Sequence, residues 1–170
     1  MEALKYFVID VDGTMTDSGI YYDDEGNELK RFSTRDGEAI KLARSLGIKI
    51  IVLTGRSCNA TKRRMEELHI DFFSQAVLDK YVWLAEFLQK NSIRREELGY
   101  IGDDINDFKA MDLAEFVGCP SDSCREVIAR ADYISTVQGG HGAVRDILEY
   151  YLRSIGQWEE AFSKVYGVYR

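Results

Sequence analysis

Apolar and polar positions along the chain follow two rhythms. Leu4 to Ile9 and Ile48 to Leu53 are short apolar runs rich in β-branched residues, a composition suited to a buried, pleated surface. Between them a helical pattern ends at Gly47, a residue that often closes a helix. Ile20 to Asp23 and Asn27 to Phe32 flank a polar turn containing Gly26, which predicts a β-hairpin over about 20–32, inserted after the first strand. Helices are predicted from about Thr61 to Leu68 and from about Lys80 to Gln89, the second with Trp83/Phe87 and Leu84/Leu88 paired at i,i+4. A strand follows near Leu98 to Ile101. Two more strands, near Ala114 to Val117 and Asp132 to Ile134, alternate with helices near Cys124 to Arg130 and Ala143 to Tyr151. Such alternation predicts an α/β fold, a parallel sheet covered by helices on both faces. In open sheets of that kind ligands bind at the carboxyl ends of the strands, so the residues just past each strand are where chemistry is expected.

Composition narrows the class. The chain has 170 residues, 45% hydrophobic and 30% charged, and a compact chain of roughly 150 residues buries about 68–70% of its unfolded surface without metal or disulfide staples. One domain over 1–170 is expected. Lys+Arg 22 against Asp+Glu 29 give a formal charge of 22 − 29 = −7, which repels nucleic acid and anionic membrane. The only basic run, Lys62-Arg63-Arg64, reads as a solvated helix face. No stretch reaches the roughly 18 apolar residues of a membrane span. Met1 to Lys5 lacks a basic leader region, and a cytoplasmic location is expected. Three cysteines without C-x-x-C spacing and two distant histidines read as free thiols and no zinc site.

The strand ends carry the candidate chemistry. The first strand runs into Asp10-Val11-Asp12-Gly13-Thr14. Alternation along an extended chain starts Asp10 and Asp12 on one side, where one carboxylate could act as nucleophile or metal ligand and the other as general acid/base. Alone, the pair fits solvated turn aspartates capping the strand better than it fits catalysis. The second strand ends in Thr54-Gly55-Arg56, a hydroxyl and a glycine amide suited to a phosphoryl oxygen or to a helix N-cap. Asp79-Lys80 follows the next strand signal and also fits an exposed helix start. The strand at Leu98 to Ile101 ends in Gly102-Asp103-Asp104-Ile105-Asn106-Asp107, with more acids than a helix N-terminus requires.

In order, Asp-x-Asp, Thr-Gly, Lys and Gly-Asp-Asp-x-x-Asp resemble the four motifs of the haloacid dehalogenase superfamily. Ile9 to Gly19, Lys30 to Gly37, Gly102 to Asp104 and Gly139 to Arg145 are similar to its capless subclass. That subclass holds 3-deoxy-D-manno-octulosonate 8-phosphate phosphatases and the 9-phosphate phosphatases of sialic-acid-type sugars. The resemblance implies a Rossmann-like core without a cap domain and an Mg²⁺-dependent phosphatase. In it Asp10 is the nucleophile that becomes an aspartyl phosphate, and Asp12 is the acid/base. Thr54 and the Gly55 amide hold phosphoryl oxygens, and Lys80 bridges them to Asp10. Asp10, Asp103 and the Asp12 carbonyl bind Mg²⁺, with Asp104 and Asp107 supporting it from nearby. It also implies a homo-oligomer, a tetramer assembled through hairpins that carry Tyr21, Tyr22 and Phe32 and lie over neighbouring sites.

A sugar-acid phosphate carries a carboxylate, for which an arginine fork is suited. The resemblance implies Arg64, on the helix after Thr54-Gly55-Arg56 and at a position where both branches of the subclass carry an arginine, as that partner, and Arg56 is a finer clue, since Thr-Gly-Arg resembles the octulosonate branch. That substrate is placed ahead of N-acylneuraminate or deaminoneuraminate 9-phosphate. Thr14, where many members carry Val, and His141, in place of a common Arg, are expected to bear on substrate and subgroup rather than on chemistry. Two readings from other classes stand beside the enzyme. A phospho-acceptor receiver uses similar residues but places its acceptor Asp before the Thr and Lys. A non-catalytic oligomerisation module of a sugar-acid activating enzyme would be expected to have lost carboxylates that this chain keeps. The tail, with Trp158, Phe162 and Tyr166 at i,i+4 spacing over about 157–170, is expected to be helical, packed on its own domain or on a neighbour.

Overall fold

The computed structural model describes residues 3–168, so Met1, Glu2, Tyr169 and Arg170 lie outside it, including the ends of the leader and tail readings. Six parallel strands form one sheet in the order β5-β4-β1-β6-β7-β8. They are β1 (Tyr6–Ile9), β4 (Lys49–Leu53), β5 (Phe72–Ser74), β6 (Leu98–Ile101), β7 (Phe116–Cys119) and β8 (Tyr133–Ile134). The helices between them are α1 (Thr34–Ser45), α2 (Asn59–Glu67), α3 (Lys80–Asn91), α4 (Ile105–Phe108), α5 (Arg125–Ile128) and α6 (Ala143–Ser154), followed by α7 (Trp158–Tyr166). The order places β1 at the centre, between β4 and β6, so the ends of three neighbouring strands converge where the acidic and Thr-Gly motifs sit.

The strands read as unbroken apolar runs because both faces are covered. Phe7, Ile9, Ile50 and Val52 point to a cluster with Ile40, Ala43, Ile147 and Leu148 from α1 and α6. Val8, Ile51, Leu53 and Tyr100 point the other way, onto Leu84 and Leu88 of α3, Met111 and Val127. Period-two alternation thus divides one apolar run between two cores. Gly99 in β6 is a packing requirement, since a Cβ there would lie 2.4 Å from the Phe7 ring.

The hairpin is present as β2 (Tyr21–Tyr22) and β3 (Glu28–Leu29), paired antiparallel as Tyr21↔Leu29 and Tyr22↔Glu28. The ladder is shorter than the sequence expectation, and a single bridge between Thr16 and Phe32 fastens its base. β7 begins at Phe116 rather than near Ala114, because Ala110–Leu113 winds into a 3₁₀ turn that Ala114 closes. α2 starts two residues early, where the Cys58 sulfur accepts from the Thr61 amide. α5 is a single turn that must release the chain in time for β8. The tail helix α7 lies on its own domain. Trp158 is buried, with the Arg145 and Arg153 guanidinium groups 5.0 and 4.7 Å from its ring, and Lys41 of α1 lies 4.8 Å over Tyr166.

Candidate active site

β1 ends at Ile9, and the Asp10 amide still donates to the Ile101 carbonyl at 2.9 Å, extending the ladder one residue. The chain then turns tightly through Val11–Met15. Gly13 makes that turn possible. Its φ is +95°, and a Cβ there would lie 2.0 Å from Asp103 Oδ2, so only glycine lets the carboxylate beyond β6 close onto the end of β1.

Three carboxylates meet in this space. One oxygen each from Asp10, Asp103 and Asp107 lies within 4.8 Å of the others. Lys80, the first residue of α3, is buried and donates to Asp10 Oδ1 at 2.5 Å and to Asp107 Oδ1 at 2.6 Å, which replaces the exposed helix start the bare sequence allowed. Asp79 beside it is the cap, accepting from Val82 at 3.0 Å. Tyr100 donates its hydroxyl to Asp107 Oδ1 at 2.7 Å, and Thr14 donates to Asp103 Oδ1 at 2.8 Å. Burial, then the Asp107 charge, hold the Asp10 carboxyl well above its usual range despite Lys80. At Asp103 burial outweighs the Thr14 hydrogen bond and, with repulsion from Asp107, pushes the carboxyl up to about 7. Burial works against the Lys80 ammonium, yet its two carboxylates leave its pKa raised. Three carboxylates, Asp10 and Asp107 buried and Asp103 half-buried, face one ammonium and lack positive charge. An all-oxygen donor set of that kind fits a hard divalent cation such as Mg²⁺, the cofactor of this site.

Asp12 stands beside the cluster, with Oδ2 accepting from Thr54 Oγ1 at 3.0 Å and Oδ1 from Lys30 Nζ. Asp10, Asp12, Gly55, Arg56, Asp103 and Asp104 line one cleft of about 290 Å³, with Ser18, Ile20 and Asn106 completing its rim. Asp104 accepts from the Ile105 amide at 2.8 Å through Oδ1 and caps α4 while also lining the cleft. Arg56 grips Glu28 of the hairpin with Nε at 3.2 Å and Nη2 at 2.9 Å. Arg64 is placed apart. It reaches Glu67 and the Ser33 carbonyl, each at 3.4 Å, against the first turn of α1, and within one chain it does not line the cleft.

Three residues at the site went unassigned in the sequence. Thr14 is a correction, since its hydroxyl bears directly on Asp103; His141, in contrast, meets Arg31 at 2.9 Å, away from the carboxylates. Tyr100 is hidden in an apolar strand, and Lys30 arrives from the hairpin, its place in the Lys30 to Gly37 stretch being the only signal.

The comparisons agree with this geometry. The chain belongs to the haloacid dehalogenase-like hydrolases, whose family model matches residues 7–78. Its activity is therefore phosphomonoester hydrolysis, which sets aside the receiver and the non-catalytic module. Within that family the chain is 33% identical over 160 residues to the 3-deoxy-D-manno-octulosonate 8-phosphate phosphatase of Escherichia coli K12, covering 94% of this chain and 85% of that protein. It is also similar to the crystal structure of the phosphatase of that name from Moraxella catarrhalis, solved with magnesium, phosphate and KDO. There the TM-score is 0.89 with 36% identity, over 94% of this chain and 92% of that one. The cobalt-bound Haemophilus influenzae phosphatase matches with a TM-score of 0.87 and 29% identity, covering 94% and 96%.

Proposed function

We propose that the chain hydrolyses 3-deoxy-D-manno-octulosonate 8-phosphate through an aspartyl phosphate on Asp10. The observation that carries this reading is the largely buried constellation of Asp10, Lys80 and Asp107 with the half-buried Asp103, and Asp12 at its edge, in a chain 36% identical to the Moraxella phosphatase over 94% of its length. An Asp10 oxygen attacks phosphorus, the bond from phosphorus to the sugar oxygen breaks, and Asp12 gives that oxygen a proton. Asp12 then takes a proton from a water that attacks the same phosphorus, which frees inorganic phosphate and restores Asp10. Thr54 and the Gly55 amide hold phosphoryl oxygens, and Lys80 fixes the Asp10 oxygen that does not attack. Asp10, Asp103 and the Asp12 carbonyl hold Mg²⁺, with Asp104 and Asp107 behind them. When bound, Mg²⁺ supplies the charge that lets a phosphate dianion approach a carboxylate site. Arg56 on the cleft rim is the nearer arginine for the substrate's carboxylate, and Arg64 is a candidate from outside that rim.

The proposal extends to a homo-oligomer, with a tetramer as its form, and to the cytoplasm. The first is supported by an exposed apolar hairpin and the second by three free cysteines. The test is phosphate release with Mg²⁺ across octulosonate 8-phosphate, sialic-type 9-phosphates and sugar phosphates without a carboxylate. The expected result is highest kcat/KM on the 8-phosphate, no turnover in folded Asp10→Asn, and reversible loss with EDTA. Preference for a 9-phosphate would move the chain to the other branch, and full activity in Asp10→Asn would overturn the mechanism.

A further inference from the structure

Asp12 lies on a turn and is partly open to solvent, its side chain 26% exposed. A carboxylate in such a place has several rotamers available, yet proton transfer requires one oxygen held within hydrogen-bond reach of the reacting atom. Both oxygens are in fact held. Thr54 donates to Oδ2, and Lys30 Nζ bonds Oδ1. Lys30 comes from the hairpin, immediately after β3, and its side chain is only 1% exposed. Its ammonium also meets Glu28 Oε1 at 2.9 Å, and Glu28 is gripped by both nitrogens of the Arg56 fork. A run of alternating charges, Asp12, Lys30, Glu28 and Arg56, thus ties the hairpin to the acid/base carboxylate and to the loop after β4. A lysine with no such task would keep its ammonium in water, because burying the charge is costly.

We infer that Lys30 is a positioning residue for Asp12, so that the hairpin sets the proton-transfer geometry of the site. The inference rests on the acid/base reading of Asp12. It separates two kinds of substrate. An alkyl phosphate leaves as a basic alkoxide and needs the proton from Asp12, whereas p-nitrophenyl phosphate releases a weakly basic phenolate that leaves without one.

The experiment is single-turnover release of the alcohol or phenol from both substrate types by the full-length Mg²⁺-loaded enzyme. Lys30→Met keeps the length of the side chain and removes the ammonium. It is expected to slow the sugar phosphate on the order of 10–100-fold, within the range of general acid catalysis, and p-nitrophenyl phosphate at least tenfold less. Lys30→Arg is expected to restore part of the difference. Adding Lys30→Met to Asp12→Asn should cost nothing further, since one acts through the other. Equal losses on both substrates would make Lys30 a support of the fold or of the phosphoryl site, and no loss on either would make it idle; both overturn the inference. If Lys30→Met does not fold, Lys30→Gln and the partial rescue by arginine carry the same comparison. Asp12→Asn alone distinguishes the two levels of failure. If it shows no leaving-group dependence, the acid/base reading itself falls, whereas dependence in Asp12→Asn but not in Lys30→Met sinks only the role of Lys30.

Discussion

As a proposed Mg²⁺ ligand, Asp103 would bind a proton and the metal at the same oxygens. Burial and the nearby acid Asp107 raise its carboxyl to about 7, against the pull of the Thr14 hydroxyl. A ligand must shed its proton before it coordinates. Mg²⁺ affinity should therefore weaken as pH falls through 7, by at least about fivefold between pH 7 and pH 6, and the raised Asp10 carboxyl adds to the loss. Calorimetric titration of the resting enzyme measures this without involving turnover; an affinity constant from pH 6 to pH 8 would mean that Asp103 is ionised throughout or is no ligand. Thr14→Val removes a donor that favours the ionised form, so the same titration in that variant should shift to higher pH. That Asp10, Asp12, Thr54, Lys80 and Asp103 meet at one edge of the sheet was legible in the sequence because each follows a strand, and strand ends in a parallel sheet converge. Thr14, Tyr100 and Lys30 were not, because their roles depend on side-chain direction across elements, which spacing does not encode. Arg64 shows the converse: a motif position placed the residue on α2, but local packing turned its guanidinium toward Ser33 and Glu67.

At the level of elements, α6 lacks a cap of its own. Its N-cap is Gly142 at φ 110°, which brings no side chain, and the Arg145 amide in the first turn is instead satisfied by Asp36 Oδ1 of α1 at 2.8 Å. One carboxylate therefore joins two helices that pack on the same face of the sheet. Its other oxygen is buried without a partner, and burial, only partly offset by the Arg145 amide, raises the carboxyl from 3.8 to about 6. The folded protein keeps this proton up to about pH 6, whereas the unfolded chain releases it near 3.8. Folding thus takes up a proton between those values, and stability falls as pH rises through that window and is level above it. Chemical denaturation should show wild type losing on the order of 2–3 kcal/mol relative to Asp36→Asn between pH 4 and pH 7. An unchanged difference would place the carboxyl near its ordinary value. The central strands β1, β4 and β6 were legible from unbroken apolar runs, since both faces are buried, whereas the half-exposed edge strand β5 had no assigned span. α4 was not, because a single turn of Ile105–Phe108 carries no period, and β7 was misplaced because the buried Ala114 belongs to the preceding turn rather than to the sheet.

For the whole molecule, the hairpin is the part whose stability the chain itself explains least. Two residue pairs form its ladder, and an isolated two-stranded hairpin is marginal in water. On one side Glu28 and Lys30 tie it to Arg56 and Asp12. Elsewhere Ile20, Tyr21, Tyr22 and Leu29 remain 51%, 47%, 64% and 52% exposed, and Leu78, Tyr81, Val82, Ile105 and Phe108 add exposed apolar surface. Finishing the burial of a half-exposed large apolar side chain contributes roughly 1 kcal/mol. The four hairpin residues alone supply about 4 kcal/mol per subunit, near the lower bound of the cost of association, so a closed assembly needs the second patch as well. Sedimentation equilibrium at micromolar concentration should give a mass of four chains, and Tyr21→Ser/Leu29→Ser should lower it while circular dichroism stays unchanged. Because the same hairpin carries Lys30, dissociation should also reduce kcat on alkyl phosphates more than on p-nitrophenyl phosphate. A wild-type mass of one chain would show that these apolar side chains tolerate water, and would leave the hairpin held by its charged contacts and by the Thr16–Phe32 bridge at its base.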